Sequence, residues 1–89
     1  KTVSVSGDTA WCEGLRHLAR DADLFICECS HYGEVPGRQR HLSYRSLQAN
    51  EAALNSSRRL VLVHCGEELL RHEDSLAFDV CEDGMRISI

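Results

Sequence analysis

The 89 residues, of which 43% are hydrophobic, suffice for one small domain and exclude a second. Fourteen acidic residues against ten basic ones give a net charge of −4, which excludes a general positive field for nucleic acid or anionic lipid. No run approaches the roughly 20 apolar residues of a membrane span, and the amino terminus lacks an export pattern, so the cytoplasm is the expected compartment. Because so short a chain has a thin core, a partner segment would add stability.

The first third of the chain predicts a strand, a helix and a second strand. Residues 1–6 alternate polar and apolar, with Val3 and Val5 on one face, as in a strand with one buried face. Asp8 or Thr9 is placed to cap a helix that ends near residue 21. The apolar run at residues 24–27 is typical of a strand covered on both faces, and Glu28 follows it directly.

The remainder predicts a loop, a helix, a third strand and a hairpin. Residues 30–40 indicate an exposed loop, and Ser43 is the expected N-cap of a helix through about residue 55. Residues 60–63 form the third apolar strand, ending at His64, and a helical turn is predicted at 67–72. Residues 78–81 and 85–89 flank an Asp83-Gly84 pair, which favours a β-hairpin.

This order, β-α-β-α-β-(α)-β-β with a terminal hairpin, predicts an α/β fold in a single domain over residues 1–89. A small doubly wound fold fits the same pattern. In such sheets ligands bind where the strands end at their carboxyl edge. Asp8, Glu28 and His64 each follow a predicted strand, so parallel neighbours would bring all three to one edge.

A carboxylate and an imidazole at one edge suit a zinc-type ion. The alternatives are that Asp8 is only a helix cap and that His64 is a structural histidine. A rival zinc site would use Cys27, Cys29 and Cys65 with His64, although the spacing departs from that of a zinc knuckle. Three arginines around His41 indicate either local anion contact or a solvated surface: Arg38, Arg40 and Arg45.

Five segments resemble, in order, motifs of metallo-β-lactamase-fold hydrolases, especially the ribonuclease Z-like and phosphodiesterase branches. Residues 5–9 resemble the S-G-D-T element and residues 22–28 the A-D-L-L-I-x-E strand. His41-Leu42-Ser43 resembles the H-x-S element, residues 60–64 the L-V-L-T-H strand, and residues 82–85 the E-D-G-M hairpin. The likeness extends over essentially the whole chain and identifies it as similar to the carboxyl-terminal half of that αββα sandwich.

The resemblance implies a site with two metal ions, usually Zn²⁺. Asp8 would bridge the ions, His64 would be a terminal ligand, and Glu28 would lie outside the ligand shell. His41 would be a catalytic residue that steadies the scissile phosphate or passes a proton to the leaving group of a phosphodiester in a nucleic acid or small molecule. A hydroxide made available by the metals would be the nucleophile.

The chain also departs from the family pattern. It has no H-x-H-x-D-H motif, which belongs to the amino-terminal half, and no further histidine before S-G-D-T. Two ligands are fewer than a zinc site needs, so the chain alone is expected to bind metal weakly and to be inactive. The expected partner is the amino-terminal half or a second copy, and no membrane. The alternative is a non-catalytic α/β interaction module.

Overall fold

A computed structural model describes residues 1–33 and 41–89 as a four-stranded parallel sheet with interleaved helices. The strands are β1 (Val3–Val5), β2 (Leu24–Glu28), β3 (Leu60–Val63) and β4 (Asp79–Val80), and they are neighbours in that order. The helices are α1 (Glu13–Ala19), α2 (Tyr44–Ala49), α3 (Glu51–Leu54) and α4 (Glu67–Arg71), with a 3₁₀ turn at Glu73–Ser75. The α/β class is therefore confirmed.

The helices cover one face of the sheet. Parallel strands that follow one another in order are joined by right-handed crossovers, which carry every connecting helix to the same side. The core accordingly joins Phe25, Cys27 and Leu62 of the sheet to Leu15 of α1 and Leu47 of α2, all buried. None of the described helices combines the length and apolar character needed to cross a bilayer.

The opposite face of the sheet is exposed at β1, whereas Leu24 of β2 and Val61 of β3 on the same face are buried. Val3 and Val5 are 48% and 58% exposed, so the prediction that this pair forms a buried face is wrong. Val5 pairs with Ile26, which is half-buried, and Val63 farther along this face is also half-buried. The apolar runs of β2 and β3 are thus suited to cover on both faces, whereas the described helices cover one.

Two helix boundaries differ from expectation. Helix α1 begins at Glu13 with Cys12 as N-cap, so neither Asp8 nor Thr9 caps it. The Thr9 hydroxyl instead donates to the carbonyl of Ala10 at 2.8 Å. Ser43 does cap α2, accepting from the backbone N–H of Ser46 at 3.1 Å, but the single helix expected to residue 55 is divided at Asn50.

The predicted terminal hairpin is wrong. A turn does form, with the N–H of Met85 donating to the carbonyl of Glu82 at 3.0 Å, but residues 85–89 form no strand. Gly84 has a φ of +79°, whereas Asp83 is outside the left-handed region. A two-residue hairpin of type I′ needs positive φ at both central positions, so this turn does not return the chain along β4. Strand β4 instead pairs in parallel with β3.

Candidate metal centre

The carboxyl edge of the sheet brings the ends of β1, β2 and β3 together. The hydroxyl of Ser6, just after β1, accepts from the backbone N–H of Glu28 at 2.9 Å. His64, directly after β3, has a φ of +56°, a left-handed conformation that is uncommon outside glycine and costs about 1 kcal/mol or more. Glu28 lies on the same face of the sheet as Val5 and Val63, opposite the face that the helices cover, so the site opens on that side.

Two carboxylates and two imidazoles meet at this edge. Suitable atoms of Asp8, Glu28 and His41 all lie within 4.8 Å of one another. His41 Nδ1 is 4.0 Å from Asp8 Oδ1, and His64 Nδ1 is 3.9 Å from Glu28 Oε1. The rings of His41 and His64 are nearly parallel, with centroids 6.3 Å apart. All four residues singled out from the sequence therefore belong to one cluster.

The two carboxyl groups interact unfavourably when both are charged. The pKa of Glu28 is raised, first by its hydrogen bond with Asp8, then by burial and by the negative charge of Asp8. His64 and His41 act in the opposite direction. The nearby charge of Asp8 thus favours the protonated form of Glu28.

The donor set fits a divalent ion of the zinc type. Such ions take histidine nitrogen and carboxylate oxygen, and the cluster offers both within a few ångströms. His41 Nδ1 is buried and has no hydrogen-bond partner among the described residues, although buried polar atoms normally have one. An ion ligated by this nitrogen would satisfy it.

The rival zinc site built on cysteines receives no support. Burial raises the pKa of Cys27 to about 11 and that of Cys29 to about 12, so both thiols are protonated near neutral pH. Among the described residues, the side chains that lie close enough together to hold a metal ion include no cysteine. None of the five cysteines forms a disulfide.

The surroundings of the cluster contain residues that the sequence did not single out. The ring of His31 meets that of His41 edge-on at 6.1 Å, and Ser30 and His31 line an open groove of about 450 Å³ that reaches His64. The only sequence signal for His31 was its position just after β2. Two of the three arginines expected near His41, Arg38 and Arg40, lie outside the described residues, as does most of the predicted loop. The guanidinium of the third, Arg45, lies 5.6 Å from the centroid of the Tyr32 ring.

No protein-family model matches the chain. The chain is 43% identical to the uncharacterized protein ML1173 of Mycobacterium leprae (strain TN) over 60 residues. The matched segment covers 66% of this chain and 21% of the length of that protein. The chain is 36% identical to ribonuclease Z of Bacillus cereus (strain G9842) over 67 residues. That segment covers 72% of this chain and 22% of the length of the ribonuclease. The chain thus spans about a fifth of the curated relatives it matches, and its similarity to a ribonuclease Z is partial.

Proposed function

We propose that the chain is the carboxyl-terminal part of a metallo-β-lactamase-fold hydrolase that uses Zn²⁺ to cleave a phosphodiester. The observation that carries the proposal is the cluster of Asp8, Glu28, His41 and His64 at the carboxyl edge of a parallel sheet. The partial identity with ribonuclease Z supports the same reaction class.

In this proposal each residue of the cluster has a distinct role. Asp8 and His64 hold the metal ions, of which the complete site would contain two. When bound, zinc supplies a water molecule that ionises near neutral pH. Glu28 orients the imidazole of His64 through their 3.9 Å contact, and His41 steadies the scissile phosphate or passes a proton to the leaving group.

The exposed sheet face supports completion by another layer. Parallel sheets are normally covered on both faces, whereas Val3 and Val5 are about half exposed. We propose that the covering layer is the rest of a longer polypeptide, which would also supply further ligands at the edge where Glu28 projects. A second copy of the chain is the other candidate partner. On its own, the chain is expected to be inactive.

The same face favours a second candidate, a non-catalytic module that binds a protein through Val3 and Val5. That function makes no demand on the charged edge. Substitutions in the cluster would then leave binding unchanged, whereas the hydrolase depends on them. Loss of a reaction, rather than loss of binding, therefore distinguishes the two candidates.

The test is hydrolysis of bis(p-nitrophenyl) phosphate by the full-length gene product that contains this sequence. We expect activity that a chelator removes and zinc restores. Asp8→Asn and His64→Gln should each lower the rate at least about 100-fold, because even partners outside the ligand shell contribute 10-fold to 100-fold. His17→Gln, on the exposed surface of α1, is the matched control and should retain the rate.

Two results would contradict the hydrolase proposal. One is a zinc-loaded, folded full-length product that cleaves no phosphodiester. The other is hydrolysis that persists undiminished in the Asp8→Asn variant, because the ion would then be held elsewhere.

A further inference from the structure

An open groove extends from His64 between the segments that follow β2 and β3. Its volume of about 450 Å³ lies within the roughly 300–1,000 Å³ of pockets that hold small ligands. We propose that this groove binds one alcohol group of the phosphodiester and that it selects an alcohol without negative charge. This role rests on the proposed function and deepens it, because it favours a small diester over a polynucleotide as the substrate.

The groove lies directly beside the proposed metal centre. Its lining consists of residues 30, 31 and 33, which follow β2, and residues 64–68, which follow β3. His64, a proposed metal ligand, thus forms part of the wall. The ring of His31 meets the ring of His41, the proposed phosphate contact, edge-on at 6.1 Å. A diester whose phosphate is held at this edge therefore has one of its alcohol groups next to the groove.

Backbone hydrogen bonds hold the walls of the groove in place. The N–H of Gly66 donates to the carbonyl of Ser30 at 3.0 Å and joins the two lining segments. The N–H of Tyr44 donates to the carbonyl of His31 at 2.7 Å and joins one of them to α2. Because the groove is formed before a ligand arrives, binding does not have to order these segments.

Two side chains that line the groove have unused hydrogen-bonding capacity. Ser30 Oγ and His31 Nε2 are buried and have no hydrogen-bond partner among the described residues, although buried polar atoms normally have one. A serine hydroxyl both donates and accepts, and a neutral imidazole nitrogen does one or the other. Rotation of either side chain toward the groove would let it bond to a hydroxyl group of a bound alcohol.

The charges along the groove favour a neutral alcohol. The exposed carboxylates of Glu67 and Glu68 line it from the first turn of α4, and none of its described lining residues is a lysine or an arginine. Carboxylates accept hydrogen bonds from hydroxyl groups and repel anions. In a polynucleotide, the alcohol next to the scissile phosphate carries a further phosphate. The groove would repel that group, whereas it would bind an alcohol with free hydroxyl groups.

The experiment compares two substrates of the zinc-loaded full-length product: thymidine 5′-(p-nitrophenyl phosphate) and the same diester with a phosphate on its 3′-hydroxyl. Both release p-nitrophenolate, so kcat/KM is measured in the same way for each. We expect kcat/KM to be at least about 10-fold higher for the diester without the 3′-phosphate, because a phosphate dianion would meet two carboxylates at close range.

Two paired substitutions locate the origin of this preference. Glu67→Gln combined with Glu68→Gln should reduce it to less than about 3-fold, because the repelling charges are removed. Glu13→Gln combined with Glu51→Gln is the matched control, since it removes the same charge from α1 and α3, which do not line the groove. The control should keep the full preference, and circular dichroism verifies the fold of both variants.

The outcomes separate this role of the groove from the proposed function. Equal kcat/KM values for the two diesters would overturn the groove and leave the hydrolase intact. A preference that persists without the Glu67 and Glu68 carboxylates, or that disappears equally in the control, would also overturn it. A full-length product that cleaves neither diester would contradict the hydrolase itself and, with it, this role of the groove.

Discussion

Replacement of Gly66 by alanine is expected to destabilise the chain by about 3 kcal/mol, the upper part of the range for overpacked sites. A Cβ at Gly66 would lie far inside van der Waals contact with the carbonyl oxygen of Ser30. The N–H of Gly66 donates to that same oxygen at 3.0 Å, so neither backbone can withdraw without breaking the bond. The measurement is the free energy of unfolding from a urea titration.

Gly14→Ala is the matched control for this substitution. A Cβ there would make an ordinary 3.7 Å contact with Cys12 Sγ, and the residue lies within α1. Alanine is favoured over glycine in helices, so this variant should be stabilised by about 0.5–1 kcal/mol. Equal unfolding free energies for Gly66→Ala and the unsubstituted chain would refute the close approach that joins the segments after β2 and β3.

Phe25→Ala is expected to cost about 3–5 kcal/mol, as for other large-to-small core substitutions. Phe25 is fully buried on the helix-covered face of β2. A loss of this size is between a third and about half of the stability of a domain of this length, which is roughly 9 kcal/mol at about 0.1 kcal/mol per residue. The midpoint of the urea unfolding transition should therefore lie at a far lower urea concentration for this variant.

Val5→Ala tests the opposite face of the same sheet. Because Val5 is 58% exposed, its truncation in the isolated, monomeric chain should cost less than about 0.5 kcal/mol, the usual range for surface sites. In the full-length product, where another layer is proposed to cover Val5, the cost should rise above about 1 kcal/mol, as for a buried methyl group. A cost that stays negligible in both proteins would contradict the proposed covering layer.

The sequence predicted the strands and the site edge more closely than the surroundings of the site. It was sufficient that Asp8, Glu28 and His64 each follow a predicted strand, because parallel strands bring their carboxyl ends together whatever the connections between them. The approach of His41 to Asp8 depends on where residues 41–43 pass the sheet. Period and spacing do not encode that path, so the resemblance alone placed His41 beside the site.

Other errors have specific physical causes. The alternation of Val3 and Val5 indicates that one face of the strand is apolar, but it does not indicate what covers that face. Their exposure was therefore not predictable from this sequence. Asp8 and Thr9 have the side chains of helix caps, yet α1 begins later, at Glu13. The Asp83-Gly84 pair is compatible with several turn types. Because the φ of Asp83 is not positive, the turn is not the type I′ turn of a two-residue hairpin.

Anomalous diffraction at the zinc absorption edge, from crystals of the full-length product grown with Zn²⁺, tests most directly whether the carboxyl edge of the sheet is a metal centre. We predict a strong anomalous peak at this edge, beside the side chains of Asp8 and His64. A peak among the cysteine thiols, or density at the edge with no anomalous signal, would contradict the account.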